Sequence, residues 1–105
     1  MADYTLERQD KRTVVSLTAN LTASLVPGLQ AALRDALAAG ETEVVFDLGN
    51  TIMLDSSGIG LLIATSNTLA RQKGRIRVVN VSPDILQLLQ SMRLTNRLNA
   101  SGRDS

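Results

Sequence analysis

The sequence lacks cysteine, histidine and tryptophan, and its aromatic residues are one tyrosine, Tyr4, and one phenylalanine, Phe46. Without cysteine there is no disulfide or thiolate metal site, and without histidine the chain lacks the most frequent general base and zinc ligand. So few aromatic side chains leave little on which nucleic-acid bases could stack. The 11 basic and 10 acidic residues give a net charge of +1, without a run of basic residues. We therefore expect no nucleic-acid partner, no metal and no cofactor.

Long apolar runs are also missing from the 105 residues, although 44% of them are hydrophobic. A membrane-spanning helix needs about 18 or more consecutive apolar residues, so we expect no membrane insertion. The first five residues are neither basic nor apolar, which does not fit a signal peptide, and we expect a cytoplasmic protein. The length predicts a single domain over residues 1–105 with one aliphatic core.

Hydrophobic periodicity predicts alternating strands and helices over most of the chain. Two short strands joined by a polar turn at 8–12 predict an antiparallel hairpin. The β-branched run at 42–48 is typical of a strand covered on both faces, and we expect it to be the central strand. The predicted elements, in chain order, are strands at 4–7 and 13–18, a helix from Ser24 to Gly40, a strand at 42–48, a helix from Ile59 to Ala70 ended by Lys73-Gly74, a strand at 75–79, a helix from the Ser82 cap to Met92, and a short strand at 94–98.

This order of elements predicts one α/β domain with a mixed β-sheet and helices packed against it through right-handed crossovers. The core should extend over about residues 4–98, and residues 99–105 should form a flexible tail. In open α/β sheets, sites collect at the carboxyl edge of the parallel strands. The polar step Asp55-Ser56-Ser57-Gly58 follows the central strand, so we expect it to lie at that edge.

The polar step separates an extended apolar segment from the second predicted helix and places hydroxyl groups at the helix start. Backbone N–H groups at a helix start have no partner within the helix, and the helix dipole adds partial positive charge there. A cap from Asp55, Ser56 or Ser57 would fit this position, and so would a phosphate on a serine. A purely structural turn, in which Gly58 and Gly60 allow close approach to the sheet, is the simplest alternative.

The polar step does not match the motifs of catalytic serines. A nucleophile elbow needs glycine two residues before the serine, but Leu54 precedes Ser56 and Asp55 precedes Ser57 at that distance. The glycine patterns of P-loops and dinucleotide-binding turns are missing as well. Asp47 and Asp55 alone are a weak signal for a metal. We therefore expect no catalytic residues and no enzyme activity, and instead a serine that is itself modified.

Residues 53–62, Met-Leu-Asp-Ser-Ser-Gly-Ile-Gly-Leu-Leu, resemble the phosphorylation-site signature of bacterial anti-sigma factor antagonists, the STAS domains. Four further segments resemble the second strand, the central strand, the next turn and strand, and the third helix of that family. These segments are 14–18, 43–48, 73–79 and 85–94. The resemblance covers nearly the whole chain and implies a single STAS-like domain.

The resemblance also implies a phosphorylation switch. The family's phosphorylated serine falls on Ser56, with Ser57 as the alternate acceptor. The unphosphorylated protein is expected to bind an anti-sigma factor that is also a serine kinase of the histidine-kinase-like ATPase fold, which frees the sigma factor. Phosphorylation would end this binding, and a serine phosphatase of the PP2C type would restore it. The implied partner-binding residues are Asp55, Ser56, Ser57, Gly58, Ile59 and Gly60.

Residues 19–22 depart from the family pattern. Where the family usually has Gly-Glu-Leu/Ile-Asp, this chain has Ala19-Asn20-Leu21-Thr22, so both acidic positions are lost. Contacts with the partner, or with the partner's nucleotide, are expected to differ there. A second function is compatible with the resemblance: a STAS-fold interaction subunit of a transporter or of another complex that does not regulate sigma. Ser56 alone does not separate the two functions.

Overall fold

Residues 3–102 are described by the computed structural model and form one five-stranded sheet with three helices. The predicted fold class, an α/β domain with a mixed sheet and helices packed against it, is confirmed. The elements are β1 (Tyr4–Gln9), β2 (Arg12–Leu17), α1 (Val26–Ala38), β3 (Glu43–Asp47), α2 (Ser56–Arg71), β4 (Arg75–Val81), α3 (Pro83–Ser91) and β5 (Ala100–Gly102).

The strands lie in the order β1-β2-β3-β4-β5, with β3 in the centre as predicted. β1 and β2 form the predicted antiparallel hairpin, whereas β2 to β5 are parallel to one another. Each helical crossover moves the chain by one strand in the same direction. Right-handed crossovers of that kind place all of their helices on the same face of the sheet.

The hydrophobic core lies between this face and the three helices. It is aliphatic except for Phe46, as the scarcity of aromatic residues predicts. Val45 is only 4% exposed but is not part of the core cluster, because neighbouring residues of a strand point to opposite faces. The central strand is therefore covered by helices on one face only, not on both faces as its sequence suggests.

Local sequence signals determine where the helices begin and end. Ser82 caps α3, because its Oγ accepts a hydrogen bond from Ile85 N at 3.3 Å, and Pro83 takes the first helical position. α1 has no side-chain cap and carries Pro27 in its first turn. Gly40, after the end of α1, has a φ of +92°, which other residues rarely adopt.

The predictions for the C-terminal end of the chain are wrong. Residues 94–98 form turns and not a strand, and Leu98 N donates a hydrogen bond to Leu94 O at 2.9 Å. These two leucines are buried and four residues apart, which is the spacing of a helical turn. The last strand is β5, which pairs with β4, so the predicted tail at 99–105 belongs to the sheet as far as Gly102. Residues 103–105 lie outside the described residues.

Candidate functional site

Two loops meet at the carboxyl edge of the sheet, one after β2 and one after β3. Leu21 in the first loop forms a parallel bridge with Leu54 in the second. Leu21 N donates to Met53 O at 3.2 Å, and Asp55 N donates to Leu21 O at 3.3 Å. This short extension of the β2–β3 ladder holds the start of α2 beside the loop that leads into α1.

Asp55 is the N-cap of α2 and also links the two loops. Its Oδ1 accepts a hydrogen bond from Gly58 N at 2.9 Å, and its Oδ2 accepts one from Ala23 N at 3.0 Å. The Gly58 N–H is the main reason why the pKa of the Asp55 carboxyl is lowered from its ordinary value. Of the three side chains that could cap this helix, the structure therefore uses Asp55.

Ser56 is the first residue of α2, and it is exposed. Its hydroxyl makes no side-chain hydrogen bond among residues 3–102. Asp55 already accepts the hydrogen bond from Gly58 N that a capping serine would otherwise accept. Ser57 is partly buried by comparison. The Ser56 hydroxyl is thus the more accessible of the two candidate acceptors for a phosphoryl group.

The expected partner-binding residues divide into interior and surface positions. Gly58 is buried, and a Cβ at this position would lie 2.5 Å from Leu21 O. Ile59 is 8% exposed and belongs to the core. These two residues attach α2 to the neighbouring loop and to the core. The remaining members are Asp55, Ser56, Ser57 and Gly60, of which Gly60 is exposed with open space around it.

An exposed apolar pair, which the sequence pattern does not reveal, lies just before the polar step. Ile52 is 77% exposed and Met53 is 54% exposed, whereas Leu54 is buried. The sequence shows a continuous apolar stretch here, which predicts an extended segment but does not separate inward from outward side chains. Adjacent exposed apolar side chains mark candidate contact sites for other proteins.

Asn20 holds this apolar pair in position. Its Oδ1 accepts hydrogen bonds from Ile52 N at 3.0 Å and from Met53 N at 3.1 Å. Thr22, at the second of the two lost acidic positions, accepts a hydrogen bond from Leu25 N at 3.0 Å through its backbone carbonyl. Asn20 therefore supplies an acceptor for the loop without the negative charge that a glutamate would bring.

The carboxyl edge of the sheet is acidic. The carboxylates in its loops and at the adjoining element starts are Asp3, Asp47, Asp55 and Asp84. No lysine or arginine occurs at 13–33, 44–70 or 78–92, the segments that build most of this edge in the described part of the chain. A phosphate on Ser56 would therefore find no cation in these segments to neutralise it.

Asp47 and Asp55, the weak candidates for a metal pair, each accept hydrogen bonds from nearby N–H groups. Asp47 Oδ1 accepts hydrogen bonds from Gly49 N at 2.9 Å and from Asn80 Nδ2 at 3.1 Å, which fixes the turn after β3. Within residues 3–102, no group of three or more acidic side chains is placed to hold a metal ion.

No helix in the same range is long and apolar enough to cross a membrane.

The lowered pKa of Asp55 predicts a pH-dependent contribution to stability. Asp55 binds its proton more weakly in the folded state than in the unfolded chain. Its contribution is therefore complete above the ordinary pKa of 3.8 and is lost as the pH falls below that value. We expect the stability difference between the wild type and Asp55→Asn, measured by urea unfolding, to shrink between about pH 6 and about pH 3.

Asp55→Ala serves as the control for this pH series, because alanine removes the cap as well as the charge. It should be less stable than Asp55→Asn near neutral pH, since asparagine is itself a good N-cap. A stability difference between wild type and Asp55→Asn that is the same at both ends of the pH range would contradict a stabilising carboxylate.

The chain matches one family of protein domains over almost its full length. Residues 4–99 match a family model described as Mlab, STAS domain. No curated protein gives a significant match. The phosphorylated form of SpoIIAA, a cell fate determinant of Bacillus, is 23% identical with a TM-score of 0.78, over 96% of this chain and 93% of that one. An anti-sigma factor antagonist from Mycobacterium paratuberculosis is 25% identical with a TM-score of 0.79, over 92% of this chain and 82% of that one.

The same fold also occurs within a much longer protein. The murine anion transporter Slc26a9, in its inward-facing state, is 15% identical with a TM-score of 0.72. The match covers 92% of this chain but only 17% of the transporter. The fold is thus found both in a small regulator and as one part of a transport protein.

Proposed function

The chain belongs to the STAS domain family, and on this premise we propose that it is an anti-sigma factor antagonist switched by phosphorylation of Ser56. The unphosphorylated form would bind an anti-sigma factor that is also a serine kinase of the histidine-kinase-like ATPase fold, and so free the sigma factor. A serine phosphatase of the PP2C type would restore binding after phosphorylation. The chain itself would act by binding and not by catalysis.

The observation that carries this proposal is the position of the Ser56 hydroxyl. The hydroxyl is exposed and is not needed as a cap, because Asp55 has that role. It follows closely after the exposed pair Ile52 and Met53, whose loop is held in place by Asn20. A kinase that docks on the apolar pair would therefore have the acceptor hydroxyl within the same contact area.

The charge of the site suggests how phosphorylation would end the binding. A phosphate adds about −1.5 to −2 charge, and it would lie next to Asp55, at an edge whose segments 13–33, 44–70 and 78–92 contain no lysine or arginine. Burying this charge against an apolar contact surface costs a few kcal/mol, and about 2.7 kcal/mol corresponds to a hundredfold loss of affinity. The fold need not change, because the cap and the loop bridge do not involve the Ser56 side chain.

The test is a binding experiment with a candidate kinase of the histidine-kinase-like ATPase fold. A stable complex is expected without ATP, and addition of ATP with magnesium should dissociate it. Ser56→Ala is the control, and its complex should withstand ATP. A wild-type complex that is equally stable with and without ATP would contradict the switch.

A transporter-associated role is the second candidate, and the similarity to part of the Slc26a9 anion transporter supports it. In that role the acidic edge would hold a transport protein permanently, and Ser56 would remain unmodified. Affinity purification of the tagged protein from its native cells distinguishes the two roles. A co-purified kinase supports the antagonist, and a co-purified transport component supports the alternative.

Ile52→Ser and Met53→Ser are each expected to lower the affinity for the kinase by roughly tenfold, because each removes an exposed apolar contact. The melting temperature should stay close to that of the wild type, since neither side chain is part of the core. Calorimetric titration measures the affinity. Leu88→Ser is the matched control, because Leu88 is also exposed but lies on α3. An equal loss of affinity in the Leu88 variant would contradict a contact centred on the Ile52–Met53 pair.

A further inference from the structure

The face of the sheet opposite the helices carries no helix within the described part of the chain. We call its β1–β4 portion the open face. Mostly parallel sheets are usually covered on both faces, so an open face of this kind is unusual. Strand register arranges its side chains in three rows across β1, β2, β3 and β4. The rows are Gln9-Arg12-Glu43-Arg75, Glu7-Val14-Val45-Arg77 and Thr5-Ser16-Asp47-Val79.

The open face has three acidic and three basic side chains, and two of the six have neither an ion pair nor a side-chain hydrogen bond among residues 3–102. Glu43 forms ion pairs with Arg12 at 3.3 Å and with Arg75 at 3.2 Å. Glu7 and Arg77 make no ion pair or side-chain hydrogen bond among residues 3–102. They occupy opposite ends of the middle row, three strands apart, which is about 14 Å.

We propose that the open face binds a second copy of this chain, through a two-fold axis that runs parallel to the strands between β2 and β3. Rotation about this axis brings the opposite ends of each row together. Glu7 of each copy then faces Arg77 of the other copy, and Arg12 faces Glu43. Val14 of one copy lies over Val45 of the other, which is only 4% exposed within its own chain, in the middle of the interface. Such an interface is self-complementary, as a two-fold dimer requires.

Charge complementarity selects this axis over the other two-fold arrangement of two stacked sheets. An axis perpendicular to the strands would place Arg77 opposite Arg77 and Glu7 opposite Glu7, and like charges directly opposed are unfavourable. It would also place Glu43 opposite Asp47. With the axis parallel to the strands, the strands of the two sheets remain aligned. Aligned sheets commonly pack face to face in proteins, about 10 Å apart.

The size of the open face predicts a weak dimer. Four strands about 4.8 Å apart and about 20 Å long provide roughly 400 Å² of sheet on each copy. This is about half of the area that one partner contributes to a stable interface of standard size, so association should depend on concentration. The parallel axis directs both carboxyl edges the same way, so the two Ser56 sites would remain accessible side by side. The dimer does not depend on the function proposed above.

Sedimentation velocity over a wide concentration range tests the dimer. The wild type should approach the mass of two copies at high micromolar concentration. Glu7→Arg and Arg77→Glu should each weaken self-association by about tenfold or more, because each variant opposes like charges twice. A mixture of the two variants should associate again. Each contact between position 7 of one copy and position 77 of the other then joins opposite charges. Asp35→Lys, on the exposed side of α1, is the control and should behave like the wild type.

Thermal unfolding followed by circular dichroism should show that all of these variants remain folded, because the substituted side chains are at the surface. A wild type that stays monomeric at every concentration would overturn the proposal. So would single variants that dimerise as well as the wild type. Failure of the mixed variants to associate would rule out the parallel axis and the proposal with it.

Discussion

Gly58→Ala is expected to destabilise the fold by roughly 2 to 4 kcal/mol. A Cβ at this position would lie 2.5 Å from Leu21 O and 2.9 Å from Leu54 Cδ1. Leu21 O cannot easily move away, because it accepts the hydrogen bond from Asp55 N that helps to join the two loops. Denaturation by urea, with the free energy of unfolding extrapolated to water, measures the loss.

Gly60→Ala is the matched control, two residues further along the same helix. Gly60 is exposed and nothing lies within 4 Å of the position of its Cβ. Alanine favours helix over glycine by about 1 kcal/mol, so this variant should be as stable as the wild type or more stable. If the two alanine variants had equal stability, the close approach of α2 to Leu21 would not require glycine. A substitution at Gly58 therefore reports on the stability of the fold. A larger side chain at Gly60 reports on contact with the partner.

Ser56→Asp is expected to lower the affinity for the kinase by roughly tenfold to a hundredfold, and Ser56→Ala to leave it close to that of the wild type. Aspartate adds one full negative charge beside Asp55, whereas phosphate adds nearly two, so the variant should be weaker than the wild type but stronger than the phosphoprotein. Alanine removes only the acceptor oxygen. Calorimetric titration without nucleotide turnover measures all three affinities.

Ser57→Asp is the matched control for charge at the start of α2. Ser57 is partly buried and also lies in the first turn, so its substitution adds the same charge one residue further on. We expect a smaller loss of affinity than for Ser56→Asp. Equal affinities of Ser56→Asp and Ser56→Ala would place Ser56 outside the interface, and a permanent interaction subunit would then be the better description.

Most of the fold could be predicted because its elements have strong local signals. The alternation of β2, the β-branched run of β3 and the Ser82–Pro83 start of α3 each specify one local structure, and the sheet follows from their order. The C-terminal strand could not be predicted, because β5 has only three residues and no periodicity of its own. It is a strand only because it pairs with β4.

The position of the candidate site could be predicted from the sequence, but not the full set of residues that form it. The polar step predicts a helix start at the carboxyl edge, and the structure has it there. Which side chain caps the helix depends on the loop from β2, since Asp55 also binds Ala23 N. The exposure of Ile52 and Met53 likewise depends on Asn20, more than 30 residues away in sequence. Such long-range contacts leave no local signal.

Phosphoryl transfer to the purified protein is the most direct test of the proposed switch. The protein is incubated with ATP and the candidate kinase, its intact mass is measured, and the modified peptide is sequenced by mass spectrometry. We predict a gain of one phosphoryl group, located on Ser56. A phosphate on Ser57, or on a buried residue such as Thr65, would contradict the assignment, and a kinase that binds the protein but transfers no phosphate would contradict the switch itself.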